Sequence, residues 1–291
     1  MSTVILLAIT GIGLGALYFL VASGLSLTYG LMGVLNFAHG SFLTLGAFIG
    51  WEVSRRMADG TWGGLLLALL VGALTGAVFA AITEFFFVRR LYNRHIEQVL
   101  VTVGIGLATV ALFEGIWGTD PIHTTQVPWL DETTTVLGAR VPNDRFLLII
   151  CAALVLAAIV AFLRFTRYGL IIRAGVQNRT MVTALGIDVR RSFTLVFAIG
   201  GAAAGLGGVL ASVYDGYVSP HLGGALLIYA FIVTVIGGMG SLAGAAIASV
   251  LVAVVQQFAN YYAGGTGDLA VVLALAVVLL VRPRGLMGAT A

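Results

Sequence analysis

Residues 33–42 read GVLNFAHGSF. They set an asparagine and a histidine, with glycines on either side, into the apolar sequence from Val4 to Val53, where a membrane helix would otherwise run on. Polar side chains left unmet in lipid are penalised by roughly 2–7 kcal/mol, so such residues face a bundle interior or an aqueous cavity. Gly33 and Gly40 let the helix break, and broken backbone at membrane depth is tolerated only where protein or water covers it. The stretch is therefore an interrupted, protein-covered segment. Two uses fit it equally: a substrate path or gate lined by Asn36, His39 and Ser41, or an interhelical hydrogen-bond clamp.

The rest of the chain supplies the membrane context. Hydrophobic residues make up 60% of the 291, charged residues only 9%, and the mean hydropathy is +1.07; a soluble domain carries roughly 25% charge. The start has no basic residue before its apolar run and no clear cleavage site, so it reads as a retained span rather than a signal peptide. The lone Cys151 excludes an intramolecular disulfide and a cysteine-rich metal site. All fifteen basic residues are arginine. Without lysine the chain holds neither a standard Walker A site nor a Schiff-base nucleophile.

A bilayer core takes about 20 apolar residues per helix. Candidates are Val4–Tyr29, Leu31–Val53, Gly63–Val88, Gln98–Trp117, Phe146–Leu163, Phe193–Val213, Ala225–Met239, Ser241–Tyr261 and Asp268–Val281. The expected fold is all-α: one transmembrane domain over residues 1–291, a polytopic bundle of about eight or nine helices, some of them broken. Arginines gather at 89–94, at 164–191 and at 282–284, whereas 119–144 holds four acids and one arginine. The positive-inside rule puts the first three in the cytoplasm and the fourth outside. Extrapolated backward, this places the N-terminus outside and strands Arg55 and Arg56 on the wrong side. Glycines four apart, Gly72 with Gly76 and Gly201 with Gly205, predict close helix packing and identify no function.

A second interrupted run, VTVIGGMGSLAGAAIA (233–248), shares a Gly-Ser step with the first and suggests an internal pseudo-repeat with two broken segments. Glu84 is placed for a structural ion pair with Arg89 and Arg90. Glu114, near the outer end of its helix, reaches water. In the cytoplasmic loop 166–192, Asn178 can cap a short helix whose Met181, Val182 and Leu185 share a face and which Gly186 ends. Such a helix would lie on the membrane or dock into a soluble partner.

GLSLTYGLMGVLNFAHGSFLTLGAF (24–48), RAGVQNRTMVTALGIDVRRSF (173–193) and VIGGMGSLAGA (235–245), in this order, resemble the LivH-type permease subunits of branched-chain amino acid ABC importers. The resemblance runs from about residue 11 to residue 285. It implies a multi-pass protein of the bacterial inner membrane, C-terminus cytoplasmic, that translocates a small solute. The implied partners are a LivM-like second permease, two ABC ATPases that hold ATP and magnesium, and an extracytoplasmic solute-binding protein; no cofactor, metal or nucleic acid is expected on this chain. Residue by residue, Asn36, Phe37, His39, Gly40 and Ser41 match the first broken segment, and Gly237, Gly238, Gly240 and Ser241 the second. Arg173, Met181, Ala184, Leu185, Gly186 and Ile187 match the ATPase-coupling segment. Tyr214, Asp215, Tyr217 and Pro220 match an outer connection where a binding protein could dock; a separate outer loop spans 118–145. The same architecture serves urea, amides and aromatic carboxylates.

Rival classes are an ion-coupled secondary transporter, a solute channel and an intramembrane enzyme. Ion coupling would call for more buried ionisable groups than His39, Glu84 and Glu114. For an enzyme, VASG (21–24) departs from a serine-protease turn at Val21, no HExxH helix exists, and on a regular helix His39 and Ser41 point apart. No catalytic residue is expected.

Overall fold

The computed structural model describes residues 2–92, 94–177, 181–182 and 189–287. Its frame is helical: α1 (Ser2–Met32), α2 (His39–Ala58), α3 (Trp62–Phe86), α4 (His95–Trp117), the short α5 (Pro128–Asp131), α6 (Asp144–Phe165), α7 (Arg167–Gln177), α8 (Val189–Asp215), α9 (Leu222–Gly237), α10 (Leu242–Tyr262) and α11 (Gly267–Val281). Among the described residues α1, α3, α4, α6, α8 and α10 are long and apolar enough to cross a membrane, and α9 and α11 are shorter apolar helices. With α2, these answer the nine expected spans.

The helices share two ends. Met32, Tyr92, Val182 and Phe193 pack together at one of them. The C-terminal tail joins the same end, since Leu286 N–H and Met287 N–H donate to the Ile236 and Gly237 carbonyls and α10 begins beside the end of α1. All three arginine clusters thus occupy one basic end. The opposite end carries the antiparallel hairpin β1 (Thr133–Val136) to β2 (Ala139–Pro142), turned through Leu137 and Gly138 at positive φ. Arg55 and Arg56 lie at this hairpin end, where the Gly60 turn borders Thr125 and Trp62 meets Trp129. Glu52 offsets them, bonding Arg55 at 3.3 Å and Arg56 Nε at 2.6 Å. A half-neutralised pair weighs little against three arginine clusters.

Small residues set the packing. Gly72 and Gly76 of α3 lie on Gly205 and Gly201 of α8; a methyl on Gly76, Gly201 or Gly205 would strike helix backbone across the contact, and one on Gly72 would strike the Val209 side chain. This is the small-residue association expected in lipid, where burial supplies no drive between helices. α1 runs antiparallel to α8, Gly24 against Gly200, and antiparallel to α10, Gly15 against Val250 and Gly11 against Val254.

The break at 33–42 is real, and deep. α1 ends at Met32, but α2 begins at His39 beside Val21 and Gly24. Eleven helical residues separate Met32 from Val21, so α2 starts about 16 Å inside the bundle from the end of α1. The connecting segment climbs back that distance as non-helical chain.

The segment recurs, inverted. α8 ends at Asp215 at the hairpin end, and α9 begins inside the bundle against Gly40 and Thr44. The two units match at a constant spacing of 183 residues (216 − 33 and 222 − 39). Gly33 and Gly216 both take positive φ, 66° and 75°. Gly33 N–H donates to Tyr29 O and Gly216 N–H to Ser212 O; His39 N–H donates to Asn36 O and Leu222 N–H to Ser219 O. Because α1 and α8 are antiparallel, the repeats are related as in an inverted pair. The sequence comparison paired the first break with Gly240; its structural counterpart is Gly216–His221.

Candidate solute path

The N-terminal turns of α2 and α9 meet in the bundle interior. Gly40 and Gly223 touch reciprocally, the carbonyl of each lying where a Cβ of the other would stand. Thr44 Oγ1 accepts from Gly223 N–H at 2.9 Å and donates to Gly40 O at 3.1 Å, fastening one turn to the other. Neither junction tolerates a side chain.

The polar residues of the first segment divide their work. Asn36 is buried, and its Oδ1 accepts from Ala38 N–H at 3.1 Å, which turns the chain into α2. Its Nδ2 has no partner among the described residues. His39, 1% exposed, lies 3.0 Å by Nε2 from the Val21 carbonyl. A carbonyl only accepts, so Nε2 carries a proton and donates it to Val21 O; Nδ1 is likewise unpartnered among the described residues. Ser41 Oγ reaches Thr109 Oγ1 of α4 at 2.5 Å. His39 and Ser41 thus bond to different helices, as their spacing predicts.

Two adjoining cavities open beside this junction. One, about 200 Å³, is lined by Gly40, Ser41, Thr44 and Gly224 together with Val103, Gly106, Leu107 and Val110 of α4. The other, about 190 Å³, is lined by Asn36 and the apolar Leu25, Leu35, Ile228, Phe231 and Ile232. Phe37 and Leu227 line both and stand between them. No charged side chain lines either cavity.

The other residues singled out in the sequence fall elsewhere. Gly237, Gly238, Gly240 and Ser241 form the turn between α9 and α10 at the basic end, where Gly30 meets Gly240, Gly285 meets Gly238, and Ser241 caps α10 through Gly244 N–H at 3.0 Å. They lie away from His39. Arg173 is exposed on α7, Met181 is exposed, and Val182 is buried on Phe193. Ala184, Leu185, Gly186 and Ile187, with the Asn178 cap, lie outside the described residues. Asp215 is exposed, Tyr217 pairs with His123 in a two-residue strand, Tyr214 carries the Arg145 guanidinium 3.6 Å from its ring centre, and Pro220 is buried. Glu84 is fully buried and accepts from Arg89, Tyr92 and Thr194, binding α3 to α8 at the basic end. Glu114 stays partly exposed and meets His221 at 3.2 Å. No group of His, Cys, Asp and Glu among the described residues could hold a metal.

Inverted repeats whose broken helices start near mid-depth recur in transporter folds. A sequence profile described as "Branched-chain amino acid transport system / permease component" matches residues 7–282. The chain belongs to this permease family. LivH of Salmonella typhimurium, a high-affinity branched-chain amino acid transport system permease protein, is 27% identical over 292 residues, covering 96% of this chain and 93% of that protein. BraD of Pseudomonas aeruginosa, of the same description, is 26% identical over 289 residues, 96% of this chain and 94% of that one. LivM of Escherichia coli, also a permease of that system, is 26% identical over 302 residues, 94% of this chain but 68% of its own length. No solved structure matches the chain. This permease is a multi-pass, predominantly helical membrane protein, and nothing in its family description is enzymatic.

Sequence reasoning missed Gly223, Gly224, Thr44 and Thr109. The available signal was the Gly-Gly pair at 223–224, which follows Gly216 as Gly40 follows Gly33. It also missed α7, whose N-cap is legible: Thr166 Oγ1 accepts from Gly169 N–H at 3.0 Å.

Proposed function

We propose that this permease is one half of the pore of an ATP-driven importer of the inner membrane, that it passes branched-chain amino acids, and that the Gly40–Gly223 junction lies on their path. The observation that carries the path is the meeting of two inverted helix starts beside cavities without a charged lining. Similarity to relatives named for branched-chain amino acid transport supplies the solute class, and the LivM similarity points to a related permease as the second half. The chain has no lysine for a Walker A site, so hydrolysis belongs to two partner ATPases that hold ATP and magnesium.

The basic end faces the cytoplasm, which puts the C-terminal tail inside and the hairpin end, with Asp215 and Tyr217, toward a solute-binding protein. The ATPases dock on the segment around Met181–Ile187. Val182 would then pass their motion to Phe193, Tyr92 and so to Glu84. Rigid-body rocking of one repeat against the other would alternate access to the junction.

Co-purification tests the class. Affinity capture of this permease from its native membrane is expected to bring down a second permease and two ATPases, and vesicles holding the complex should take up leucine only with ATP inside. Uptake by the permease alone, driven by an ion gradient, would replace this reading with a secondary transporter.

A further inference from the structure

We infer that each of the two rocking bodies is a repeat that has exchanged its first helix with the other: α2 and α3 move with α8, and α9 and α10 move with α1. This rests on the path reading above and adds which helices travel together. Consecutive helices are not the close neighbours at the junction. α1 shares little with α2 beyond the His39 ring at Val21 and Gly24, and α8 shares little with α9.

The first body is held backbone to backbone. Gly46 of α2, Gly72 of α3 and Gly205 of α8 come together, so that a Cβ on Gly46 would stand 2.5 Å from Gly205 Cα and one on Gly72 3.0 Å from Gly46 O. Gly76 against Gly201, and Gly208 against Leu43 O, extend the contact along α3 and α2. Glu84 closes it at the basic end, where its carboxylate accepts from Thr194 of α8 at 2.6 Å. Close packing of this kind does not deform gradually, and parting the helices would lose these contacts together with the Glu84–Thr194 bond. α2, α3 and α8 therefore move as a unit.

The second body is built from the inverted counterparts, α9, α10 and α1. Gly11 and Gly15 of α1 lie on Val254 and Val250 of α10, and Gly237 of α9 lies on Gly244 of α10. Tyr18 of α1 stacks on Tyr229 of α9 with ring centres 4.8 Å apart and donates to Gln256 Oε1 of α10 at 2.7 Å. Glu84 with Thr194 and Gln256 with Tyr18 thus tie equivalent helix pairs, α3 to α8 and α10 to α1. Between the bodies the tight glycine contacts come one to a helix pair: Gly24 with Gly200 where α1 crosses α8, and Gly40 with Gly223 where α2 meets α9. A single crossing point lets two helices pivot, which a run of several does not. Hydrogen bonding is also incomplete at this seam, since Asn36 Nδ2 and His39 Nδ1 have no partner among the described residues. A second arrangement there breaks no bond made by those atoms.

Spin labels at exposed positions toward the hairpin end test the exchange: Val4 on α1, Leu66 on α3, Asp215 on α8 and Tyr261 on α10. The intact importer in nanodiscs, without binding protein and with Cys151 replaced, carries cysteines at two of these positions at a time. Double electron–electron resonance compares the nucleotide-free state with the state trapped by ATP and vanadate. The Leu66–Asp215 and Val4–Tyr261 distances, each between the repeats, should stay the same. Val4–Leu66 and Asp215–Tyr261, each within one repeat, should shift by about 2 Å or more. A shift in Leu66–Asp215 or Val4–Tyr261 overturns the exchange. So do four unchanged distances in an importer that still takes up leucine with ATP. An unmodified importer without ATP-driven leucine uptake overturns the path reading instead.

Discussion

Replacing Gly223 by alanine perturbs the junction at its tightest point. The new methyl would meet the Gly40 carbonyl and the Thr44 hydroxyl, both fixed, because Gly40 lies in the first turn of α2 and Thr44 is bonded to it. Overpacking destabilises by about 1–3 kcal/mol, and separating the helices also breaks the Gly223–Thr44 hydrogen bond, about 1 kcal/mol more, for a total of about 3 kcal/mol. At about 2–4 °C per kcal/mol the melting temperature should fall by roughly 6–12 °C. The assay is thermal unfolding of the purified complex in detergent, with Gly115→Ala as the comparison. Gly115 lies on α4 with nothing within 4 Å of an added Cβ, so its substitution should move the midpoint by no more than about 4 °C. A Gly223→Ala protein that melts with the unmodified one would show that α2 and α9 do not meet here.

Other changes should follow the same geometry. Glu84→Gln leaves Arg89 without its buried counter-charge and should destabilise by about 3 kcal/mol, while Tyr92→Phe, which removes one of several donors, should cost about 1 kcal/mol; chemical unfolding of both variants measures the ratio. His39→Phe removes the bond to Val21 O and should lower leucine uptake at least about tenfold, with His39→Gln recovering part of it by keeping a donor; initial uptake rates in vesicles decide. Gln256→Leu breaks the link from Tyr18 (2.7 Å) to Asp268 (2.9 Å) that joins α1 to α11, and should lower stability by about 2–3 kcal/mol, read by the same melt.

Much of this was legible because lipid makes exceptions conspicuous. Asn36 and His39 had to be covered, and they are, at 1% exposure each. The Gly72–Gly76 and Gly201–Gly205 pairs had to serve packing, and they pack on one another. The second half of the junction was hidden because DGYVSPH (215–221) mixes polar and turn-forming residues after a span, which reads as an ordinary loop. Its depth is set by tertiary contact, the fit of Gly223 to Gly40, which no local pattern encodes. Gly237–Ser241 misled for the converse reason: its glycines serve a helix–helix turn, Gly237 against Gly244, where local composition resembles a break.

The central claim is that two inverted re-entrant segments alternate in opening one path. Thiol accessibility tests it most directly. In a background with Cys151 replaced, Phe37→Cys reports the segment facing the basic end and His221→Cys the segment facing the hairpin end. Labelling with a membrane-impermeant maleimide, nucleotide-free and then trapped with ATP and vanadate, should show one site gaining accessibility as the other loses it. Two sites that change together, or neither changing while the ATPases cycle, would contradict the account.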